Sequence, residues 1–422
     1  MYADDIVLLS ETASGLQNSI NGVEKFCSKW GLSVNLNKSK VLVFNKPGRL
    51  EKTKFYFGEQ TLENVVKYKY LGLIFQASGC FNDGKCDLSL KGLKALYKLK
   101  NMFNSSKPNI STMSHVFDHT IKPITLYACE IWGAFNTKSK KLSNSSSHKV
   151  IKAYDTLPAE KVHLKFCKFA IGVWKNAPSN AVYGELGRFP MYITVIRQML
   201  SFLKHILSTT SAINPFLKDA WEENKELDGK GINSWFSSIK FVCNELGIDD
   251  VECPDNSIFE SIQRLEEDFI VNWKKTISDN NNARGHGNKL RFYNKFKIRF
   301  MLEPYLLLVK NQPALNSLIK FRTSCHNLQI EKGRHQNLDV SDRICHCDNH
   351  KVEDELHFAM ECPSYNNLRQ LFFESIFRLN TNFVDLDNEA KLIWLLSNED
   401  QSICINFAKF IHKCFEVRST KI

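Results

Sequence analysis

A chain of 422 residues with 43% hydrophobic and 24% charged content is too long for one ordinary domain and too apolar for gross disorder, so two to four folded domains are expected. The net charge of +11 favours a polyanionic partner, because clustered Lys and Arg gain free energy by releasing counterions from a phosphate backbone. No apolar run reaches the roughly 18 residues that span a bilayer, the start has no secretory signal pattern, and 13 scattered cysteines indicate reduced thiols in an intracellular compartment.

The chain opens on Met1-Tyr2-Ala3-Asp4-Asp5, followed by Ile6-Val7-Leu8-Leu9. Four apolar residues with β-branched members predict a strand covered on both faces. The paired carboxylates in front of it are either a solvated turn or, compensated by a divalent cation, a hard oxygen site that suits Mg2+. Leu16, Ile20, Val23, Phe26, Cys27 and Trp30 then recur at steps of three and four, an amphipathic helix stopped by Gly31. Residues 32–44 alternate into a strand whose central polar turn carries Lys38. Gly58 predicts a hairpin between Phe55-Tyr56-Phe57 and Thr61-Leu62. Residues 67–75 read as a strand with an aromatic, basic approach to a glycine. There Tyr70-Leu71-Gly72 is either part of a core hairpin or a place where nucleic-acid backbone approaches protein backbone.

From Asn82 the pattern turns helical and basic. Lys85, Lys91, Lys94, Lys98 and Lys100 are interleaved with Leu90, Leu93, Leu96, Tyr97 and Leu99, which fits a solvated amphipathic face or a helix that follows phosphates. Residues 126–133 are expected to pack in a core and residues 137–149 to form an exposed loop. Residues 158–207 form a second helical block, in which the glycines and proline of residues 183–191 predict a helix-to-helix corner without chemistry. Residues 284–299 are the most basic stretch. Their alternating cations and rings, Arg291 and Lys295 among them, fit phosphate binding with base stacking, or a helix whose Phe292, Phe296 and Ile298 face the core.

Cys345-His346-Cys347 is followed by His350, by Glu353-Asp354-Glu355 and by His357 and Cys362. Cys345, Cys347, His357 and Cys362 give a Cys-x-Cys, nine residues, His, four residues, Cys arrangement. Three thiolates and one imidazole make a closed tetrahedral site for structural Zn2+, with no position left for catalysis. The single residue between the first two cysteines is tighter than the usual zinc-finger gap, and His346 or His350 can stand in as a ligand. Buried cysteines beside a helical histidine are the alternative. The helices of residues 392–396 and 403–415 are expected to pack around the site.

Tyr2-Ala3-Asp4-Asp5, the Lys38 turn and Tyr70-Leu71-Gly72, in that order within 75 residues, resemble successive motifs of reverse transcriptases from jockey-like retrotransposons, which lack long terminal repeats. Residues 126–133 and 183–191, and the cysteine cluster with residues 328–334, Arg343 and Arg369, resemble later segments of the same proteins. The resemblance implies an α+β chain. Residues 1–83 would be a partial polymerase palm of β-hairpins plus a helix, 84–207 a helical thumb-like region, 208–327 a helical connector, and 328–422 a small zinc-binding segment with flanking helices. It also implies that Asp4 binds catalytic Mg2+ and Asp5 supports it, and that Lys38 lies near the incoming triphosphate and meets the leaving pyrophosphate. Tyr70, Leu71 and Gly72 would grip the primer, and Lys91, Lys94 and Lys98 would track the duplex; Arg291 and Lys295 are further candidate contacts. The implied partners are an RNA template and a DNA primer, in the nucleus and away from membranes. In this family the fingers and a third metal-binding Asp lie upstream of the acidic box. The chain is therefore expected to be the C-terminal portion of an RNA-directed DNA polymerase, inactive without an upstream segment. A zinc-dependent nucleic-acid-binding module and a decayed element are the alternatives.

Overall fold

Helix α1 (Ala13–Trp30) starts where the Thr12 hydroxyl accepts the Gly15 amide and stops, as its sequence predicts, where Gly31 turns left-handed at φ 62°. This is a computed structural model, and it describes residues 5–45, 47–133, 157–209, 213–248, 250–252, 257–279, 288–347 and 350–421. The expected loop at 137–149 lies outside them. Helix α1 lays Ile20 against a three-stranded sheet of β1 (Lys40–Val41), β2 (Phe55–Phe57) and β3 (Gln60–Asn64), in the order β1-β3-β2. Ile20, Val41, Phe55 and Leu62 form its small core. Gln17 pairs with the Tyr56 backbone through both its amide groups, at 2.7 and 2.9 Å, and so satisfies the outer edge of β2.

Two expected strands are not realised. Residues 6–9 form no strand, and Ile6, Val7 and Leu9 are exposed. A strand needs a hydrogen-bonding neighbour and cover on its faces, and of these four residues only Leu8 packs, half-buried, against the small core. The long strand expected over 32–44 shrinks to β1, although the polar turn at 36–38 forms. The hairpin at Gly58 (φ 60°) forms as expected.

Strands β4 (Lys67–Tyr70) and β5 (Leu73–Gln76) make a separate antiparallel hairpin. Leu71 and Gly72 form its two-residue turn, both at positive φ, 45° and 88°, the geometry that matches the twist of the flanking strands. Helix α2 (Asn82–Ser106) follows and buries Leu88, Leu96, Leu99 and Phe103. Helix α3 (Ile110–Thr120) packs on α4 (Lys122–Thr125) and α6 (Pro158–Ala170), α2 packs on the same two, and α5 (Cys129–Trp132) shares their core. Gly92 is required there, since a side chain would strike Thr125. Leu126, Cys129 and Trp132 are buried, so residues 126–133 pack in the core as expected.

Helices α7 (Ser179–Leu186) and α8 (Met191–Ser208) meet at the predicted corner, where Gly187 is left-handed (φ 59°) and Pro190 precedes the new helix. Helices α9 (Pro215–Gly229), α10 (Trp235–Glu245) and α11 (Ser257–Ser278) continue the bundle. The short α12 (Tyr293–Phe296) and α13 (Tyr305–Leu308) lead into α14 (Gln312–Arg322) and α15 (Gln329–His335). Helices α16 (Asn366–Phe377), α17 (Asn388–Ser397) and α18 (Gln401–Lys421) close the chain. Phe292 and Phe296 are buried as expected, but Ile298 is 67% exposed. The helix ends at Phe296, so the three-to-four spacing that would have carried Ile298 inward is lost, and Lys297 is buried in its place. One continuous core runs from Leu73 to Cys414, so the stretches separated in sequence at 207 and 327 share a single interior.

Candidate functional site

The cysteine cluster is assembled by short backbone devices. Ile344 and Val352 bridge as antiparallel partners, and the Cys345 amide donates to Lys351 O at 2.8 Å. The chain then turns at His346 and Cys347, which brings the second thiol back beside the first across a single residue. On the other side Asp354 accepts the His357 amide at 2.8 Å and starts a wide π-turn, His357–Glu361. The Cys362 amide closes it on His357 O at 2.7 Å. Arg369 of α16 braces the turn, donating to Ala359 O at 3.0 Å and Cys362 O at 2.7 Å.

The ligand atoms of Cys345, Cys347, His357 and Cys362 all lie within 4.8 Å of one another. Cys345 Sγ is 3.9 Å from Cys362 Sγ, and Cys347 Sγ is 3.3 Å from His357 Nε2. A tetrahedron with Zn–S near 2.3 Å and Zn–N near 2.0–2.1 Å has edges of about 3.8 and 3.5 Å, so the four residues fit Zn2+ with little movement. The hydrogen bond from Cys345, with His357 adding to it, pushes the Cys362 thiol well below the usual thiol range, the direction that suits a metal-binding thiolate. His346 is turned aside to Gln329 at 2.7 Å, and neither it nor His350 is in the group. Glu361 lies 3.8 Å from His357 Nδ1, in the direction from which a carboxylate orients a ligating imidazole.

The acidic triplet ahead of His357 has a structural task that the sequence reading did not identify. Glu353 takes two bonds from Arg418, at 2.6 and 2.8 Å. Glu355 accepts from Arg291 at 2.7 Å and pairs with His326 at 3.0 Å. Burial pushes the Glu355 carboxyl up, but the Arg291 charge and the His326 bond outweigh it and hold it at about 2. Arg291 also holds Glu331 at 3.0 Å. Arg291 is therefore committed to two buried carboxylates and is not presented to a phosphate, contrary to expectation. Lys295 pairs with Glu389 at 2.7 Å on the surface, an exposed contact worth little. The one available signal was a triplet of acids directly ahead of the apolar residues Leu356, Phe358, Ala359 and Met360, since buried carboxylates demand cationic partners.

At the other end of the chain, Asp4 lies outside the described residues, and Asp5 is exposed. Lys38 is exposed on its turn, and its carbonyl accepts the Tyr68 hydroxyl at 2.8 Å, which ties that turn to β4. The Tyr127 hydroxyl donates to Leu71 O at 2.9 Å, and its ring lies 3.4 Å from where a Cβ at Gly72 would stand. Two elements that are 56 residues apart in sequence thus hold one turn. Asp87 of α2 sits between Lys69 of the hairpin at 3.3 Å and Lys91 at 2.8 Å, so Lys91 is engaged while Lys94 and Lys98 stay exposed.

Residues 1–75, which hold the acidic pair, the Lys38 turn and the hairpin tip, match the family model described as reverse transcriptase (RNA-dependent DNA polymerase). The chain is 28% identical over 144 residues to a probable RNA-directed DNA polymerase from transposon BS of Drosophila melanogaster, covering 31% of this chain and 16% of that one. It is 33% identical over 88 residues to a Pol polyprotein from the type-1 retrotransposable element R2 of Nasonia vitripennis, covering 19% and 9%. A putative transposon-derived protein of Caenorhabditis elegans is 27% identical over 141 residues, covering 31% and 47%. The chain thus spans less than half the length of each of these relatives. No solved structure matches it. The zinc-type group lies outside the matched reverse-transcriptase residues, and no described helix is long and apolar enough to cross a membrane.

Proposed function

We propose that the chain is part of the RNA-directed DNA polymerase of a mobile element, acting on an RNA template and a DNA primer in the nucleus. The match of residues 1–75 to reverse transcriptases carries this reading. Residues 1–83 are read as the distal palm, and the helical remainder as thumb, connector and zinc-bound tail. Asp4 and Asp5 are the residues that would hold Mg2+, which when bound makes the primer 3′-hydroxyl more acidic and neutralises the departing pyrophosphate. Lys38, exposed on a turn fixed to β4, brings an ammonium to the triphosphate. Leu71 and Gly72 offer backbone at a turn where a side chain would block close approach, with Tyr70 beside them. Lys94 and Lys98 extend a cationic face along α2 for the duplex phosphates.

A primer-extension assay tests the catalytic part. The full polymerase that carries these residues should extend an RNA–DNA primer–template only in the presence of Mg2+. Asp5→Asn should then lower extension at least about a hundredfold, the scale of losing a group that acts on the transition state, while leaving binding intact. Robust extension that survives Asp5→Asn would refute the assignment.

The four-ligand geometry supports a second reading, a zinc-dependent nucleic-acid-binding module. It predicts salt-sensitive binding that is indifferent to Asp5→Asn and lost on chelation. Binding and fold that both ignore chelation would eliminate it.

A further inference from the structure

A cleft of about 80 Å3 opens between the turn after α6 and helix α15. Trp174, Lys289, Asn327, Lys332 and His335 are among the residues that line it. Gly172, left-handed at φ 68°, reverses the chain after α6 and sets Trp174 at the rim, where it is 54% exposed. A single exposed tryptophan is ordinary, but the charges around this one are not. Lys320 Nζ lies 5.7 Å from the indole centroid, and Lys289 and Lys332 form the walls. Lys168 stands close by and donates to Lys175 O at 2.7 Å. Burial, and then the charge of Lys289, push its ammonium below the ordinary range, as gathered cations should.

None of these four lysines makes an ion pair among the described residues, and the carboxylate in the cleft, Glu331, is already held by Arg291 and Arg334 at 3.0 and 3.2 Å. The wall also contains His326, buried, with Nε2 on Glu355 and Nδ1 without a hydrogen-bond partner. A concave cationic surface with an indole at its edge and unused polar groups inside fits a polyanion that carries flat rings.

We propose that this cleft binds an unpaired nucleic-acid strand, with the Trp174 indole stacking on a base and Lys289, Lys320 and Lys332 meeting its phosphates. Stacking on aromatic side chains within a basic groove is how single strands are held without sequence preference. A duplex keeps its base faces covered, and a membrane site would need a cluster of apolar side chains, whereas Trp174 is the one large exposed apolar residue lining the cleft. The inference rests on the nucleic-acid part of the reading above and is independent of Asp4 and Asp5. It also couples the cleft to the zinc-type segment, because α15, which carries Lys332 and His335, hangs on Glu353 through the Gln329 amide at 2.6 Å.

The test is fluorescence anisotropy of the full chain, loaded with zinc, on a labelled oligouridine of about 12 nucleotides and on a duplex of equal length. Trp174→Ala should weaken single-strand binding about 5- to 150-fold, and Trp174→Phe should keep most of it. Lys289→Ala with Lys332→Ala should lower the salt slope by about 1.4. Circular dichroism checks that these surface variants fold. Tight strand binding that Trp174→Ala leaves within about twofold would overturn the site alone. A wild-type chain that binds no nucleic acid would overturn the broader reading as well. Adhesion to phosphatidylserine vesicles in place of the strand would reassign the cleft to a membrane surface.

Discussion

Arg369 uses its guanidinium on Ala359 O, Cys362 O and Asn366 Oδ1, at 3.0, 2.7 and 2.8 Å, so one side chain fixes the turn that presents His357 and Cys362. Arg369→Lys keeps the charge but not the fork. Zinc affinity measured by competition with a chromophoric chelator is expected to fall about 10- to 100-fold; unchanged affinity would show that the turn holds itself. Tyr127 plays a similar part at the hairpin tip. Tyr127→Phe keeps the ring beside Gly72 but removes the bond to Leu71 O, a local loss of about 1 kcal/mol. It should appear as faster amide exchange over β4 and β5 with global stability unaltered, and protection identical to wild type would reject the role. The ligand set was legible in sequence because thiol and imidazole spacing is a short-range signal. Arg369, and the segment 126–133 that holds Tyr127, stood there only as motif members, since their tasks depend on what lies across the fold.

At the scale of elements, the zinc-type group ties the Ile344–Val352 bridge to the π-turn, beside the ion pairs of Glu353 and Glu355. Removing the ion from such a site removes folding free energy directly. A strong chelator at neutral pH should release one Zn2+ per chain and lower amide protection in α15, α16 and the segment between them, while α1 and its sheet are unaffected. Protection that persists after the metal is gone would mean that aromatic packing of Phe358 on Phe415, with ring centroids 4.6 Å apart, suffices. The sequence predicted helices 392–396 and 403–415 around this site, and α17 and α18 pack there. It overpredicted the strand at 6–9, because an apolar run reports burial against a partner that sequence alone cannot supply.

Across the whole molecule, two cores of unequal size set the order of unfolding. Four buried residues hold α1 to its sheet, and a small core is the first to open. Urea unfolding followed by amide exchange should show residues 13–64 losing protection before the bundle; simultaneous loss would contradict this. The large core is pinned by Glu185 of α7, which takes two bonds from Arg322 of α14 at 2.9 and 3.1 Å and one from Tyr305 at 2.5 Å. Burial pushes the Glu185 carboxyl up, but Arg322 and Lys297 outweigh it and hold it below the ordinary carboxylate range. A depressed folded value stabilises fully above the unfolded value of about 4.3 and is lost as pH falls below it. Glu185→Gln should therefore cost about 3 kcal/mol at neutral pH and flatten the loss of stability below about pH 4.3. An unchanged acid limb in that variant would exclude Glu185 as its source.

Helix α1 and its stop, the Gly58 hairpin, the corner at Gly187 and the gathering of Cys345, Cys347, His357 and Cys362 were determined by the sequence itself. Each rests on contacts or backbone preferences within a few residues, and the order of motifs in residues 1–75 adds a match that no single stretch provides. Tertiary structure alone decided that Arg291 serves Glu331 and Glu355, that Tyr127 holds the Leu71–Gly72 turn, and that Trp174 shares a cleft with Lys289 and Lys332. Ion pairs, long-range hydrogen bonds and clefts depend on which residues distant in sequence the folded core brings within a few ångströms, and no local periodicity encodes that.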